Sequence, residues 1–345
     1  MALGSVWGGF YHKNECKKSP FATGIPTGQE GRNNNKFQNS KMSIKTKTIN
    51  FEAIDNRTRY KYLTTAVAPR PICFASTVDK QGKVNLSPFS YFNVFSSTPP
   101  VMVFSPSRSG REATHKDTYH NIMEVPEVVI NIVNNRMVEQ MSLTSAAWEK
   151  GVNEFSKGGF TEVKSDLVKP PRVKEAPVAF ECIVDDVIEL GDEGGAGNLV
   201  IARAKVAHIN EEYLDEDGFL NQVKLDLVSR MGGDWYCHAN VNSMFELARP
   251  GGIGVVGMDG LPEEIRSSTV LTGNDLGRLG NLDSLPGESE IRDASEKEEV
   301  KMILVEFDGN KGRANEALHR LGKEMIEAGQ VKEALAVMMS ADGTF

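Results

Sequence analysis

Cysteine is scarce in this sequence: there are four in 345 residues, Cys16, Cys73, Cys182 and Cys237, with no CxxC pair among them. That spacing excludes a disulfide scaffold and suits a reducing cytosol. Long apolar runs are missing as well. No run reaches the roughly 18 residues of a membrane-spanning helix, and the first 30 residues lack the apolar core of a secretory signal. The expectation is a cytoplasmic protein without a membrane partner. A basic excess is also absent, because 39 Lys and Arg stand against 47 Asp and Glu, a formal charge of −8. Such a surface repels a polyanion on average, so nucleic acid is not an expected partner. What remains is an ordinary globular composition, 40% apolar and 25% charged, with material for a core.

Residues 1–41 are polar, rich in Gly, Asn and Lys, and follow neither the strand nor the helix period. A second Met at position 42 opens MSIKTKTINF, so 1–41 is expected to be a disordered leader or an added segment. A transit peptide is the alternative, at odds with the shortage of Arg. From Arg70 onward, strand-like runs alternate with turn signals. Residues 72–78 and 84–87 flank Asp79-Lys80-Gln81-Gly82 and read as a hairpin. Runs at 101–105 and 128–133 have strand length, and 178–190 and 199–209 flank a Gly-rich loop. Helical patterns are fewer, at 118–124, 136–147 and 242–248. Many short strands with few helices argue for a barrel or a sandwich.

This β-rich domain is expected over 42–286. Residues 287–345 then read as a charged linker, GESEIRDASEKEEV, and a helical extension. In that extension, Leu318, Leu321 and Met325 form one apolar stripe and Val331, Leu335 and Val337-Met338 the next, with Gly329 between them, which describes a helical hairpin.

Two stretches carry the chemistry. The first runs through Ala68-Pro69-Arg70-Pro71-Ile72, Ser76-Thr77, and Asn85-Leu86-Ser87-Pro88-Phe89-Ser90-Tyr91-Phe92-Asn93 to Thr98-Pro99-Pro100. It sets small hydroxyl and amide side chains beside aromatics, which suits a planar heterocycle, although a capped strand end uses the same residue types. The second stretch, Ser105-Pro106-Ser107-Arg108-Ser109-Gly110-Arg111 and Lys116-Asp117-Thr118-Tyr119-His120-Asn121, is a polar loop with arginines entering a helix. Free amides there can seat a phosphate; an ordinary N-cap on Asp117 or Thr118 is the alternative, and both can hold at once.

The order PRPI, NLSPFS, TPP and KDT-x-x-N resembles the flavin reductase-like split-barrel family, in its flavoredoxin-type branch, over about residues 57–280. The resemblance implies a mainly β fold: an antiparallel Greek-key split β-barrel that holds FMN at a homodimer interface. It implies that Asn85, Ser87, Pro88, Phe89 and Ser90 lie along the isoalloxazine ring. Arg70, Ser105, Arg111, Lys116, Asp117, Thr118 and Asn121 complete the cofactor-binding set, the last four forming the K-D-T-x-x-N pattern near the phosphate. The implied activity is NAD(P)H-dependent flavin reduction, with NADH or NADPH as reductant and a flavin, iron or protein as electron acceptor. A flavoredoxin-type carrier and a non-catalytic flavin-binding module are the alternatives. The flavin carries the redox chemistry, so no catalytic side chain is expected.

Three further patterns point elsewhere. Gly252 to Gly257 spells GxGxxG, but no strand-to-helix transition surrounds it, which argues against a dinucleotide fingerprint. His115 and His120 stand five apart, off one helix face and without an evident third ligand, so no metal site is expected. Ser229 to Tyr236 resembles the family's R-x-G-G-x-x-Y element, within which Trp235 is expected to pack in the interior.

Overall fold

The computed structural model describes residues 45–149, 151–251 and 254–342. The leader expected over 1–41 lies outside the described residues. The chain divides into two compact units, Met1–Asp55 and Asn56–Phe345. The described part of the first unit holds a single 3-10 turn, Phe51–Ala53, where the Asn50 side chain accepts the Glu52 amide at 2.9 Å.

The second unit opens with helix α1 (Asn56–Ala66), followed by strands β1 (Cys73–Val78) and β2 (Val84–Phe89). Their turn is built by Asp79, whose carboxylate accepts the amides of Gln81 and Lys83 at 2.9 and 2.8 Å, and by Gly82 at φ +81°. A side chain that mimics a turn carbonyl, with a glycine free to take positive φ, makes this the hairpin read from the sequence. There follow β3 (Phe92–Ser97), β4 (Pro100–Phe104), α2 (Asp117–Glu124), β5 (Glu127–Ile132), α3 (Val138–Thr144) and α4 (Glu154–Gly158). A small pair, β6 (Glu162–Val163) and β7 (Arg172–Val173), precedes the long strands β8 (Val178–Glu189) and β9 (Asn198–Ile209). Helix α5 (Gln222–Leu225) and the pair β10 (Val228–Arg230) and β11 (Tyr236–His238) end this region.

Seven strands form one antiparallel sheet in the order β2-β1-β5-β8-β9-β4-β3. Its two edge strands, β2 and β3, are joined by only Ser90 and Tyr91. Three trans peptide steps span at most about 11 Å, so the sheet must curl until its edges meet at that corner. No β2–β3 ladder closes the ring among the described residues. The curled interior collects Cys73 and Ala75 of β1, Phe92, Met102 and Phe104, Val128 and Ile130, Cys182 and Val184, and Val200 and Ala202 in one cluster with Ile122 of α2. Side chains alternate along a strand, so Phe74 points to the opposite face and packs with Leu86, Met137, Met141, Phe155 and Phe160 beneath α3 and α4. Burial pushes the Cys182 thiol up to about 12 and raises Cys73 as well, so both act as small apolar residues here.

Two expectations are corrected. Residues 244–250 have no regular structure in place of the helix read at 242–248. Asn240 accepts the Asn242 amide at 3.0 Å and Ser243 Oγ accepts the Asn240 amide at 2.9 Å, a side-chain turn that competes with helix formation. The charged stretch after Pro286 is helical rather than a linker. It contributes α8 (Glu288–Ser295) and the first three residues of α9 (Glu298–Glu306), preceded in chain order by α6 (Glu263–Arg266) and α7 (Gly273–Gly280). The expected helical hairpin is present as α10 (Lys311–Glu327) and α11 (Val331–Met339), with Gly329 at φ +83° between them. Leu261, Ile265, Leu271, Leu276 and Leu279 pack directly on Ile326, Ala334, Leu335 and Met338. Helices on both sides of position 286 thus share one core, and that position is not a break in packing.

His319 of α10 is buried, its Nδ1 lies 2.9 Å from Ser268 Oγ, and its Nε2 has no partner among the described residues. Burial holds the imidazole below its usual range. The unfolded chain therefore takes up the proton first as pH falls, so the histidine leaves stability untouched above about pH 6.5 and lowers it below that value. Urea unfolding followed by helical circular dichroism between pH 8 and pH 5 is expected to show that loss, and His319→Leu is expected to reduce its slope.

Candidate functional site

Helix α2 lies against the first hairpin, and two buried side-chain hydrogen bonds fasten it there. Asn85 Nδ2 of β2 donates to Thr118 Oγ1 at 2.8 Å, and Asn121 Nδ2 donates to Thr77 Oγ1 of β1 at 3.1 Å. All four residues are at least nine-tenths buried. A buried amide or hydroxyl left unpaired costs about 1–3 kcal/mol, so both pairs resist sliding of the helix along the strands. Ile122, one residue after Asn121, fills the sheet interior from the same helix.

The start of α2 is one of several in this chain without a side-chain cap. Its N-cap is Lys116, in extended backbone, and no side chain caps it. The amides of Tyr119 and His120 both reach Lys116 O, at 3.0 and 3.3 Å. Among the described residues the amides of Asp117 and Thr118 have no acceptor. Capping by the Asp117 or Thr118 side chain is therefore not what this structure does: the Thr118 hydroxyl is turned inward to Asn85. Lys116 and Arg111 are exposed and make no hydrogen bond or ion pair among the described residues. The positive end of the helix dipole and the uncommitted Lys116 thus share one junction, an arrangement that attracts an anion.

The preceding loop is held from the other side. Arg108 Nη2 donates to Glu189 Oε2 at 2.7 Å, and Tyr119 OH donates to Glu189 Oε1 at 2.6 Å. These two bonds hold the Glu189 carboxyl below its usual range, and the carboxylate in turn raises Tyr119. The His115 ring stacks on Tyr119 at 3.7 Å, and desolvation, reinforced by Arg108, lowers its imidazole.

The flavin reductase like domain matches residues 66–224. A protein of Aquifex aeolicus, itself uncharacterized, is 37% identical over 185 residues, which is 54% of this chain and 92% of that protein. The chain belongs to the flavin reductase-like family. Its fold superposes on nitrilotriacetate monooxygenase component B of Bacillus cereus with a TM-score of 0.55 at 30% identity, over 59% of this chain and 100% of that one. It superposes on 2-nitrobenzoate 2-nitroreductase of Pseudomonas fluorescens with a TM-score of 0.53 at 27% identity, over 61% and 100%. In this flavin reductase-like chain, helices α6 to α11 follow the matched region.

The residues expected to bind a cofactor do not all meet. Asn85, Thr118 and Asn121 are brought together, with Lys116 and Asp117 at the adjoining helix start. Along β2 the alternation puts Ser87 and Phe89 on the face of Asn85, and Pro88 on the face of Leu86. The Phe89 ring packs on Phe104 at 5.6 Å, so it contributes to the core. Ser90 is half-buried at the link to β3. Arg70 is committed elsewhere: its guanidinium donates to the carbonyls of Thr64 and Val67 at 2.6 and 2.7 Å and of Met231 at 3.0 Å, which holds the end of α1. Ser105 Oγ accepts the Asn198 amide at 3.0 Å and serves the loop before β9. Trp235 is 75% exposed, contrary to the interior packing expected of it.

Sequence reasoning missed Glu189, Tyr119 and the pairing of Thr77 with Asn121. Glu189 ends a twelve-residue strand and lies 81 positions from Arg108, so no local pattern marks it. Another group, Asp166, Glu181 and His208, has ligand atoms within 4.8 Å of one another. The Glu181 carboxylate already takes the amides of Asp166, Leu167 and Val168 and lies 2.6 Å from His208 Nε2, so it anchors that turn.

Removing one member of the second pair measures how firmly α2 is fixed. Thr77→Val is isosteric and leaves Asn121 Nδ2 buried without an acceptor, at an expected cost of about 1–3 kcal/mol. Denaturant midpoints of the two proteins check this, and an unchanged midpoint would show that the bond carries no stability.

Proposed function

We propose that this flavin reductase-like chain binds FMN and acts as an NAD(P)H-dependent flavoprotein oxidoreductase. The observation that carries the proposal is the start of α2, where two amides without acceptors adjoin Lys116, which has no ion pair among the described residues. A phosphate there gains charge-assisted hydrogen bonds from main chain and side chain together. The buried Asn85–Thr118 bond ties that seat to β2, an edge strand whose Leu86 amide is taken by Glu154 Oε2 at 3.0 Å and whose outward carbonyls remain for the polar rim of a planar ring. Ser87 and Ser90, both half-buried, supply hydroxyls along that strand. Bound FMN supplies the hydride and electron chemistry; the task of this chain is to hold the phosphate, orient the ring and exclude water.

The split-barrel reading follows from the same edge. An open edge beside β2 leaves the ring one wall short, so the site is completed by the equivalent surface of a second copy in a symmetric homodimer. Pairing of this kind also covers main-chain groups that would otherwise face water.

The test is the absorbance spectrum of the purified protein after reconstitution with FMN, before and after anaerobic NADH or NADPH. Flavin bands that bleach with either nucleotide support the reductase. Bands that bleach only with a reduced partner protein favour an electron carrier, and their absence overturns flavin binding. Lys116→Ala is expected to weaken FMN roughly tenfold, the value of one lost charge-assisted bond, and to leave riboflavin nearly unchanged. Equal losses for both ligands would place the phosphate elsewhere.

A further inference from the structure

The loop that leads into α2 is more tightly bound than a phosphate seat requires. Residues 109–114 fold back on themselves, with the Ser109 amide donating to Thr114 O at 2.8 Å and the Ala113 amide to Ser109 O at 3.1 Å. Arg108 then bolts this turn to the loop between β8 and β9. Its main-chain amide donates to Ala196 O at 2.8 Å, its carbonyl accepts the Gly195 amide at 3.2 Å, and its Nε donates to Gly191 O at 3.2 Å. Its remaining nitrogens reach Ala113 O at 3.1 Å and Glu189 at 2.7 Å. The two loops also touch through glycine: a Cβ on Gly194 would stand 2.8 Å from the Gly110 carbonyl oxygen. The far side of the second loop is held in turn, since Asn56 Nδ2 donates to Gly194 O at 2.8 Å.

We propose that this double-loop clamp, with Arg108 and Gly194 as its positioning residues, makes the site select a mononucleotide flavin over a dinucleotide. The inference rests on the FMN reading above. FMN ends at its phosphate, whereas FAD continues from that phosphate through a second one to an adenylate, and this extension must leave the seat beside its first phosphate. The chain next to the open amides of α2 is the clamped turn. A free turn could swing aside for the extension; this one is fixed to β8 by Glu189, to its neighbouring loop by main-chain bonds, and to α2 through Tyr119 on the same Glu189 carboxylate. Arg108 therefore acts on the ligand through the loop it holds, its own donors being engaged by protein acceptors.

Two substitutions loosen the clamp by different means. Arg108→Ala removes the bolt. Gly194→Ala leaves every charge in place and forces the two loops apart at Gly110, and the Gly194 backbone conformation is one that alanine adopts. Affinities of the full-length protein for FMN, FAD and riboflavin, measured by fluorescence quenching, give the readout. The unchanged protein is expected to prefer FMN over FAD by about tenfold or more, and both variants are expected to reduce that ratio by about threefold or more, with riboflavin affinity retained. Arg108→Lys, which lacks the planar fork, is expected to behave like Arg108→Ala. Equal affinity of the unchanged protein for FMN and FAD, or a parallel loss of all three ligands in both variants, overturns the clamp while leaving flavin binding intact. A fall in the ratio with Arg108→Ala but none with Gly194→Ala also overturns it, because charge rather than loop closure would then set the preference. Failure of the unchanged protein to bind any of the three overturns the FMN reading itself.

Discussion

Two amide-to-hydroxyl hydrogen bonds, Asn85 to Thr118 and Asn121 to Thr77, decide where α2 sits, and the candidate site is assembled around that decision. Both are buried, so water cannot substitute for either partner, and a helix displaced by one residue would leave four polar groups unpaired. The bonds hold Thr118 with its hydroxyl inward and its amide at the helix start. They also carry the KDT-x-x-N segment to within one hydrogen bond of the strand that bears NLSPF.

Across the two motif stretches the arginines and lysines divide into two kinds. Arg70 and Arg108 are engaged by carbonyls and a carboxylate, and their role is to set the main chain. Lys116 and Arg111 have no such partners among the described residues, and Lys116 stands where the dipole of α2 is positive. Residue type alone does not separate these roles: four cations of the two motif stretches are assigned by what already surrounds them.

Much of the fold was legible because its signals are local. Continuous apolar runs bounded by turn residues marked β1, β4, β5, β8 and β9 to within a residue or two, and Asp79 with Gly82 marked the first turn. The helical region was less legible. Helix α8 buries only Ile291 and Ala294, so its remaining charged positions read as a linker. Leu261 to Leu282 looked like part of the β domain because its partners, on α10 and α11, lie more than forty residues away in sequence. At the site, motif order pointed to Asn85, Lys116, Thr118 and Asn121, while the side chains that position them were hidden. Thr77 looks like any strand threonine until its pairing with Asn121 is seen, and Glu189 looks like any strand end.

Under the proposed function, the bond between Asn85 and Thr118 organises the ligand seat as well as the fold. A double-mutant cycle of Asn85→Ala and Thr118→Val, read in FMN affinity with folding checked by circular dichroism, tests it most directly. The account predicts that each single change weakens FMN and that the double mutant is little worse than either. Additive losses, or singles that bind FMN as the unchanged protein does, would contradict it.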